Sequence, residues 1–439
     1  MNAQANNTED KTQELCEKLY LAAKTSKTRR FHALYDKVYM MDFLTNAWKQ
    51  IKQNKGSAGI DNESIEDIIQ KGEERVLLEI QKTLMENEYR PRSVKRVLIP
   101  KPDGRERPLG IPTIRDRIVQ ASTKALIEPI FEADFLECSY GFRIRRSPHD
   151  ALEEIRKTMN AGYVVVLDAD ITGYFDNINH NKLMGFVEQR INDRRILKLI
   201  RKWLECGVID TDGFHETDKG TPQGGVISPL LANIYLHELD KFWTDQKKIN
   251  GRIVRYADDF VILFRNEYDA QIGLRMVKSK LKELGLELNE KKTKVVNTWR
   301  GQEGFDFLGF HHRRLLSKRQ HRYYTYKWPS NKAMKSIRGK IKNVLGRKAT
   351  LQWSIERIAQ TINPILRGWM NYFKYGNSSK KFAQIDNYTY TRIIIWWRLK
   401  HNNSHRCYYK LTSQDYKNVG FQVLTGNIIY TSGQSKAQG

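Results

Sequence analysis

Two stretches place carboxylates in apolar surroundings. In RIVRYADDFVILF (252–264) Asp258 and Asp259 sit side by side between two strand-like runs, and in VVVLDADITGYFDNI (164–178) an apolar run leads into Asp168 and Asp170. Carboxylates that lose hydration beside one another need a compensating cation, either a basic side chain or a metal. The alternate spacing of Asp168 and Asp170 puts both on one face of a strand. A strand-end carboxylate beside an Asp-Asp hairpin would make a three-carboxylate cluster, suited to two hard divalent cations about 4 Å apart and to in-line phosphoryl displacement. Taken alone, the four residues YADD fit an exposed aspartate-rich turn equally well.

The elements that must position these residues read as mixed α and β. Helical patterns cover 11–53, 64–87, 117–131, 148–160, 181–205, 228–247 and 268–284, with a Gly-rich loop NKGSAGID at 54–61. Residues 92–112 read as a hairpin turning at Pro102-Asp103-Gly104, residues 163–170 as a buried strand, and 252–264 as a second hairpin. The expected class is α+β. At 439 residues the chain is long enough for two or three domains. Cys16, Cys138, Cys206 and Cys407 lie far apart without metal-finger spacing, so no disulfide framework is expected. The longest apolar runs, 163–167 and 393–397, are too short to span a bilayer, and the polar N-terminus carries no secretion pattern. The expectation is a cytoplasmic protein without a membrane partner.

The net charge of +25 is uneven: residues 1–310 carry 50 Lys+Arg against 47 Asp+Glu, whereas residues 311–439 carry 25 against 3. No acidic residue lies between Asp306 and Glu356, and Tyr323, Tyr324, Tyr326, Trp328 and Trp353 are interleaved with the bases. Cations that neutralise phosphates, combined with aromatic faces that stack on bases, suit nucleic acid. A solvated basic face or an anionic lipid surface is the alternative.

YADD, some ninety residues after DADITGYFD and separated from it by GTPQGGVISPLLANIYL (220–236), resembles the palm of reverse transcriptases. The resemblance implies a right-hand polymerase, with fingers and palm built on antiparallel sheet. It implies Asp170, Asp258 and Asp259 as catalytic metal ligands together with the carbonyl of Ile171, and two Mg2+ ions, with Mn2+ as a substitute. Asp168 would be structural. In IPKPDGRERPLGIP (99–112) it implies that Lys101 and Arg107 grip the triphosphate, with Gln223 of TPQG under the incoming nucleotide. Phe175, five positions after Asp170, would exclude a 2'-hydroxyl and so favour deoxynucleotides.

The flanks resemble bacterial group II intron proteins more narrowly. NKGSAGID, IRDRIVQ (114–120), SYGFR (139–143), FDFLGF (305–310, a primer grip) and SIERIAQTINPILRGWMNYFKYG (354–376, the maturase domain with GWMNYF) carry that likeness. It implies an N-terminal extension over 1–90, fingers and palm over 91–312, an α-helical thumb or maturase domain over 313–376, and a small basic DNA-binding region over 377–439. Lys335, Arg338, Lys340, Lys342, Arg367 and Lys374 are the candidate nucleic-acid contacts. Read as a helix, 354–376 sets Ile358, Ile362, Ile365, Trp369, Tyr372 and Phe373 near one face, with Pro364 kinking its middle. The implied partners are an RNA template such as group II intron RNA, a DNA primer or target, and deoxynucleoside triphosphates, with monomer and homodimer both open. No HNH-type Cys/His cluster follows residue 400, so second-strand cleavage is not expected and priming at forks or nicks is. The implied activity is RNA-directed DNA synthesis with assistance to splicing and retrohoming. A domesticated enzyme of DNA repair or phage defence, or a splicing-only maturase, is the alternative.

Truncation near residue 310 should weaken RNA binding and flatten its salt dependence; unchanged affinity in a salt titration would refute the assignment of the basic block.

Overall fold

In the computed structural model, residues 2–100, 106–318, 320–401 and 413–429 are described. The chain forms two compact units that interleave in sequence. One comprises Met1–Ser147, Ala169–Ile262 and Gln271–Lys294, the other Pro148–Asp168, Leu263–Ala270 and Val295–Gly439.

The strands are β1 (Val94–Pro100), β2 (Glu106–Ile111), β3 (Val165–Ala169), β4 (Val208–Asp210), β5 (Gly213–His215), β6 (Gly251–Tyr256), β7 (Asp259–Phe264), β8 (Lys294–Asn297), β9 (Gly304–Phe307), β10 (Phe310–Leu316) and β11 (Tyr323–Pro329). They form sheets of order β2-β1-β4-β5, β6-β7-β3-β8 and β11-β10-β9. The expected hairpin over 92–112 is present, antiparallel from Lys95↔Ile111 to Pro100↔Glu106, and its turn lies outside the described residues.

In the first unit the helix Ile114–Glu132 is buried along most of its length, and Thr113 caps it by accepting from the Asp116 amide at 3.1 Å. Three long helical readings are each broken, and long-range partners explain two of the breaks. After the helix Asn2–Thr25 the Arg190 guanidinium donates to the carbonyls of Ala23 (2.9 Å) and Ser26 (3.1 Å), satisfying a helix end. The 181–205 reading splits into His180–Glu188 and Arg194–Glu205. Asp193 caps the latter and also accepts from the Leu34 and Tyr35 amides at 2.8 and 2.9 Å. The 64–87 reading breaks at Gly72, whose φ of 89° suits glycine.

In the second unit, the span expected to be helical from 313 opens instead with strand. β10 pairs with β11 from Phe310↔Pro329 to Leu316↔Tyr323, and with β9 from Phe310↔Phe307 to Arg313↔Gly304. Three long helices follow, Asn331–Leu345, Ile355–Phe373 and Ser379–Lys400, and then a short one, Ser413–Asn418. Ile355–Phe373 continues through Pro364 as one element, and its buried stripe is Ile358, Ile362, Leu366, Met370 and Phe373. Ile365, Trp369 and Tyr372, expected on that face, are half-buried at its margin, and Leu366 and Met370 take the central positions. Leu366→Ala should therefore lower stability by about 2–5 kcal/mol and Ile365→Ala by clearly less, measured by denaturant unfolding.

Candidate active site

The turn that carries the paired aspartates is held by a buried cation. Arg255 and Asp240 are both fully inaccessible, and the Arg255 guanidinium donates to both carboxylate oxygens of Asp240. The remaining donors go to Asn233 Oδ1 (3.0 Å), Ser139 Oγ (2.8 Å) and the carbonyl of Ala257 (2.9 Å). Burial works against the guanidinium's charge, but Asp240 outweighs it and raises the pKa. A buried pair is tolerated only when its hydrogen bonds are satisfied in this way. Asp240 stands on the helix Ser228–Asp245, so the TPQG-proximal helix and the YADD turn are tied together.

The SYGFR block lies against the same turn. The Tyr140 amide donates to the Arg255 carbonyl and the Arg255 amide to the Cys138 carbonyl, both at 2.8 Å. A Cβ on Gly141 would fall 2.3 Å from the Ala257 nitrogen, so only glycine fits there. Ala257 itself has φ of 57°, the left-handed conformation of a tight hairpin turn. Neither Arg255 nor Asp240 was singled out from sequence. The available signal was weak: Arg255 interrupts the apolar run IVRY, and Asp240 lies among His237, Glu238 and Lys241, where a charge does not stand out.

The carboxylates divide into different environments. Asp258 is half-buried, and its pKa is raised by burial, with Asp170 adding to the rise while Arg107 and Arg255 oppose it. Asp170 follows β3 and is paired with Lys292, whose ammonium lies 3.1 and 3.0 Å from its two oxygens. Asp259 begins β7 and is exposed. The expected three-carboxylate cluster is not assembled: among the described residues no three His, Cys, Asp or Glu side chains converge on a common point. Lys292 answers the charge of Asp170, and Asp259 is exposed at the start of β7, which spares the turn a third buried negative charge. The donors nevertheless fit a hard divalent cation, because Asp258 and Asp170 feel one another and a cation between them would reverse the penalty on Asp258.

Of the residues expected on the nucleotide side, Arg107, Gln223 and Phe175 lie at one corner. Arg107 of β2 donates to Gln223 Oε1 at 2.7 Å, and Gln223 Nε2 donates to Asp176 Oδ1 at 3.3 Å, next to Phe175. The Phe175 carbonyl accepts the Thr221 amide at 2.8 Å, fastening TPQG to the residue expected to select the sugar. A Cβ on Gly224 would sit 2.2 Å from the Gly110 carbonyl, so this glycine permits a close approach of TPQG to β2. Ile171 is buried and bridged to Leu288, with the neighbouring Thr172 amide donating to the Glu287 carbonyl at 2.9 Å. Lys101 lies outside the described residues.

In the second unit, Lys335, Lys340 and Lys342 are exposed on the helix Asn331–Leu345, opposite its buried Met334, Ile337, Ile341 and Leu345. Arg338 packs over the Tyr388 ring at 5.7 Å, and Arg367 is 3.5 Å from Gln422 Oε1. Lys374 donates to Asn371 Oδ1 at 3.2 Å. The described part of the tail, 413–429, lies along the helices: Asn363 binds the carbonyl of Gly420 and the amide of Gln422, each at 2.8 Å, and Asp386 accepts the Leu424 and Thr425 amides, each at 2.9 Å. No helix among the described residues is long and apolar enough to cross a membrane.

Residues 99–312 match the family described as reverse transcriptase (RNA-dependent DNA polymerase), and residues 334–412 match the group II intron, maturase-specific domain. The chain is thus an RNA-directed DNA polymerase joined to a maturase domain. It is 33% identical over 343 residues to Protein YkfC of Escherichia coli (strain K12), covering 70% of this chain and 88% of that one. It is also 39% identical over 215 residues to the group II intron-encoded protein LtrA of Lactococcus lactis subsp. cremoris, covering 48% of this chain and 35% of that protein. A 91 kDa protein in the cob intron of Schizosaccharomyces pombe is 27% identical over 441 residues, 82% of this chain and 53% of that one. The chain belongs to the group II intron reverse transcriptase and maturase family, whose reverse transcriptase domain generally works with divalent metal ions and whose domains act on RNA and DNA.

Two stability outcomes follow. Asp240→Asn should destabilise the protein by about 3–5 kcal/mol in chemical denaturation, because it strands a buried guanidinium. Asp258→Asn should do the opposite. A carboxyl whose folded pKa is raised contributes stability below its unfolded pKa and loses it as pH rises through the folded value, so the substitution should raise the metal-free melting temperature at neutral pH. The gain should vanish in acid, below the ordinary carboxylate range; differential scanning fluorimetry across pH checks it.

Proposed function

We propose that this chain extends a primer on an RNA template by two-metal nucleotidyl transfer at the YADD corner, within a right-hand arrangement of fingers, palm and thumb. The observation that carries it is the convergence of Arg107, Gln223 and Asp176 beside Phe175, with the charge of Arg107 felt at Asp258. A fingers cation, the TPQG glutamine and a palm carboxylate are thereby within one reach.

Asp170 and Asp258 would hold the metals, with Asp259 completing the negative field and the Ile171 carbonyl adding an oxygen. Magnesium bound there would stabilise the attacking and leaving oxygens of the displacement. Arg107, released from Gln223, would take the triphosphate with Lys101, where fixed cations offset charge that develops as pyrophosphate departs. Phe175 would fill the space beside the sugar C2', and Gln223 would keep Arg107 and Asp176 in register until a nucleotide enters. Lys292 would hold Asp170 in place through their ion pair in the absence of metal.

The four-part division at 90, 312 and 376 is part of the same reading, with 377–439 as a basic DNA-contacting region. Lys335, Lys340 and Lys342 would meet phosphates directly, while Arg338, Arg367 and Lys374 would do so after exchanging their intramolecular contacts. Group II intron RNA would be the specific RNA partner, by analogy with relatives encoded in introns.

Primer extension on an RNA template tests the proposal. Asp170→Ala should reduce extension by about 10³-fold or more while RNA affinity changes little, and near wild-type extension would exclude the metal assignment. Phe175→Val should increase ribonucleotide incorporation relative to deoxynucleotide, measured as a ratio of kcat/KM; an unchanged ratio would show that Phe175 only packs.

A further inference from the structure

At the corner where β1 begins, two cations meet on a single oxygen. Lys202 Nζ donates to the Tyr89 carbonyl at 2.9 Å, and Arg90 Nη1 donates to the same carbonyl at 3.0 Å. The two charged heads can be no farther apart than those two bonds laid end to end. Lys198 stands one turn before Lys202 on the helix Arg194–Glu205, close enough that it and Arg90, after burial, lower the Lys202 pKa. Among the described residues none of the three ion-pairs with a carboxylate: Arg90 and Lys202 bond only to backbone carbonyls, including Asn87 for Arg90 at 3.0 Å.

The oxygen on which they converge is fixed rather than accidental. The Tyr89 side chain is buried, its hydroxyl donates to Asp116 Oδ1 at 2.6 Å, and Trp203 Nε1 donates to that hydroxyl at 3.0 Å. The Tyr89 amide is tied to the Thr83 carbonyl at 3.1 Å. Trp203 and Tyr89, the aromatic residues of the corner, are therefore committed to the core. Like charges gathered on a rigid frame repel, and an anion placed among them removes that penalty. The corner offers cations, and its two anchoring aromatic residues, Tyr89 and Trp203, are buried and not open to stack on a base, so the three cations suit phosphates.

We propose that Arg90, Lys198 and Lys202 form a contact patch for the phosphodiester backbone of bound nucleic acid, separate in sequence from the basic block after residue 310. The proposal rests on the reading of the chain as a nucleic-acid polymerase. Its contribution to binding is independent of base sequence and sensitive to salt.

The test uses the full chain with all three residues changed, Arg90→Gln, Lys198→Gln and Lys202→Gln, and fluorescence anisotropy over a salt series with a structured RNA and a DNA duplex. Loss of three phosphate contacts should flatten the log–log salt slope by about 2–3 and weaken binding about tenfold or more at low salt. The nucleic acid on which the slope flattens identifies the strand type that the patch meets. A charge-preserving set, Arg90→Lys, Lys198→Arg and Lys202→Arg, should keep the wild-type slope, which a packing role would not guarantee. A neutral set whose slopes match wild type on both nucleic acids overturns the proposal, as does weakened binding with the slope unchanged. Wild-type primer extension is read alongside. A wild type that binds through the patch but never extends would fault the polymerase mechanism and leave the patch standing.

Discussion

The buried ion pair between Arg255 and Asp240 is the constraint on which the active corner depends. A guanidinium without water access must satisfy its donors inside the protein, and here they reach a helix, the SYGFR loop and the carbonyl of the YADD turn. Each of those partners is thereby fixed relative to the others. Because one missing partner leaves an uncompensated buried charge, the arrangement is close to all-or-none. The left-handed Ala257 and the close approach of Gly141 then follow as local consequences of where Arg255 must sit.

That constraint delivers Asp258 to a place where its charge is unwelcome. Burial and the neighbouring Asp170 push its carboxyl toward the neutral form, against a backbone hydrogen bond and the charges of Arg107 and Arg255. Asp170 meanwhile is answered by Lys292. An added cation beside Asp258 would oppose that push, and a carboxylate perturbed in this way beside a charged partner is a mark of functional sites. Arg107 is comparably placed, since its exposed bond is to the neutral amide of Gln223, which an anion would outcompete.

What could be seen in the sequence was local. The alternation around Asp168 and Asp170, the apolar arms flanking Asp258 and the Pro-Asp-Gly turn each specify their element within a few residues. The skew of charge past residue 310 likewise needs no structure to be noticed. What could not be seen were partnerships made at long range. Ser139 reaches Arg255 across 116 residues, and Asp193 caps its own helix while bonding the Leu34 amide 159 residues away. The Asp193 contacts stand at the break between two helices that periodicity alone would have run together. β10 and β11 escaped for a different reason: His312, Arg314 and Lys327 are buried polar residues on those strands, so the usual alternation of apolar with polar is inverted there.

The most direct measurement counts metal ions. Electron paramagnetic resonance titration of Mn2+ into the protein bound to an RNA template, a chain-terminated DNA primer and a matched deoxynucleotide should show two tightly bound ions per chain. Asp258→Asn, which leaves the Arg255–Asp240 frame intact, should lose at least one of them while still binding the template and primer. Two undiminished sites in that variant would contradict the assignment of Asp258 and, with it, the account of what the buried ion pair positions.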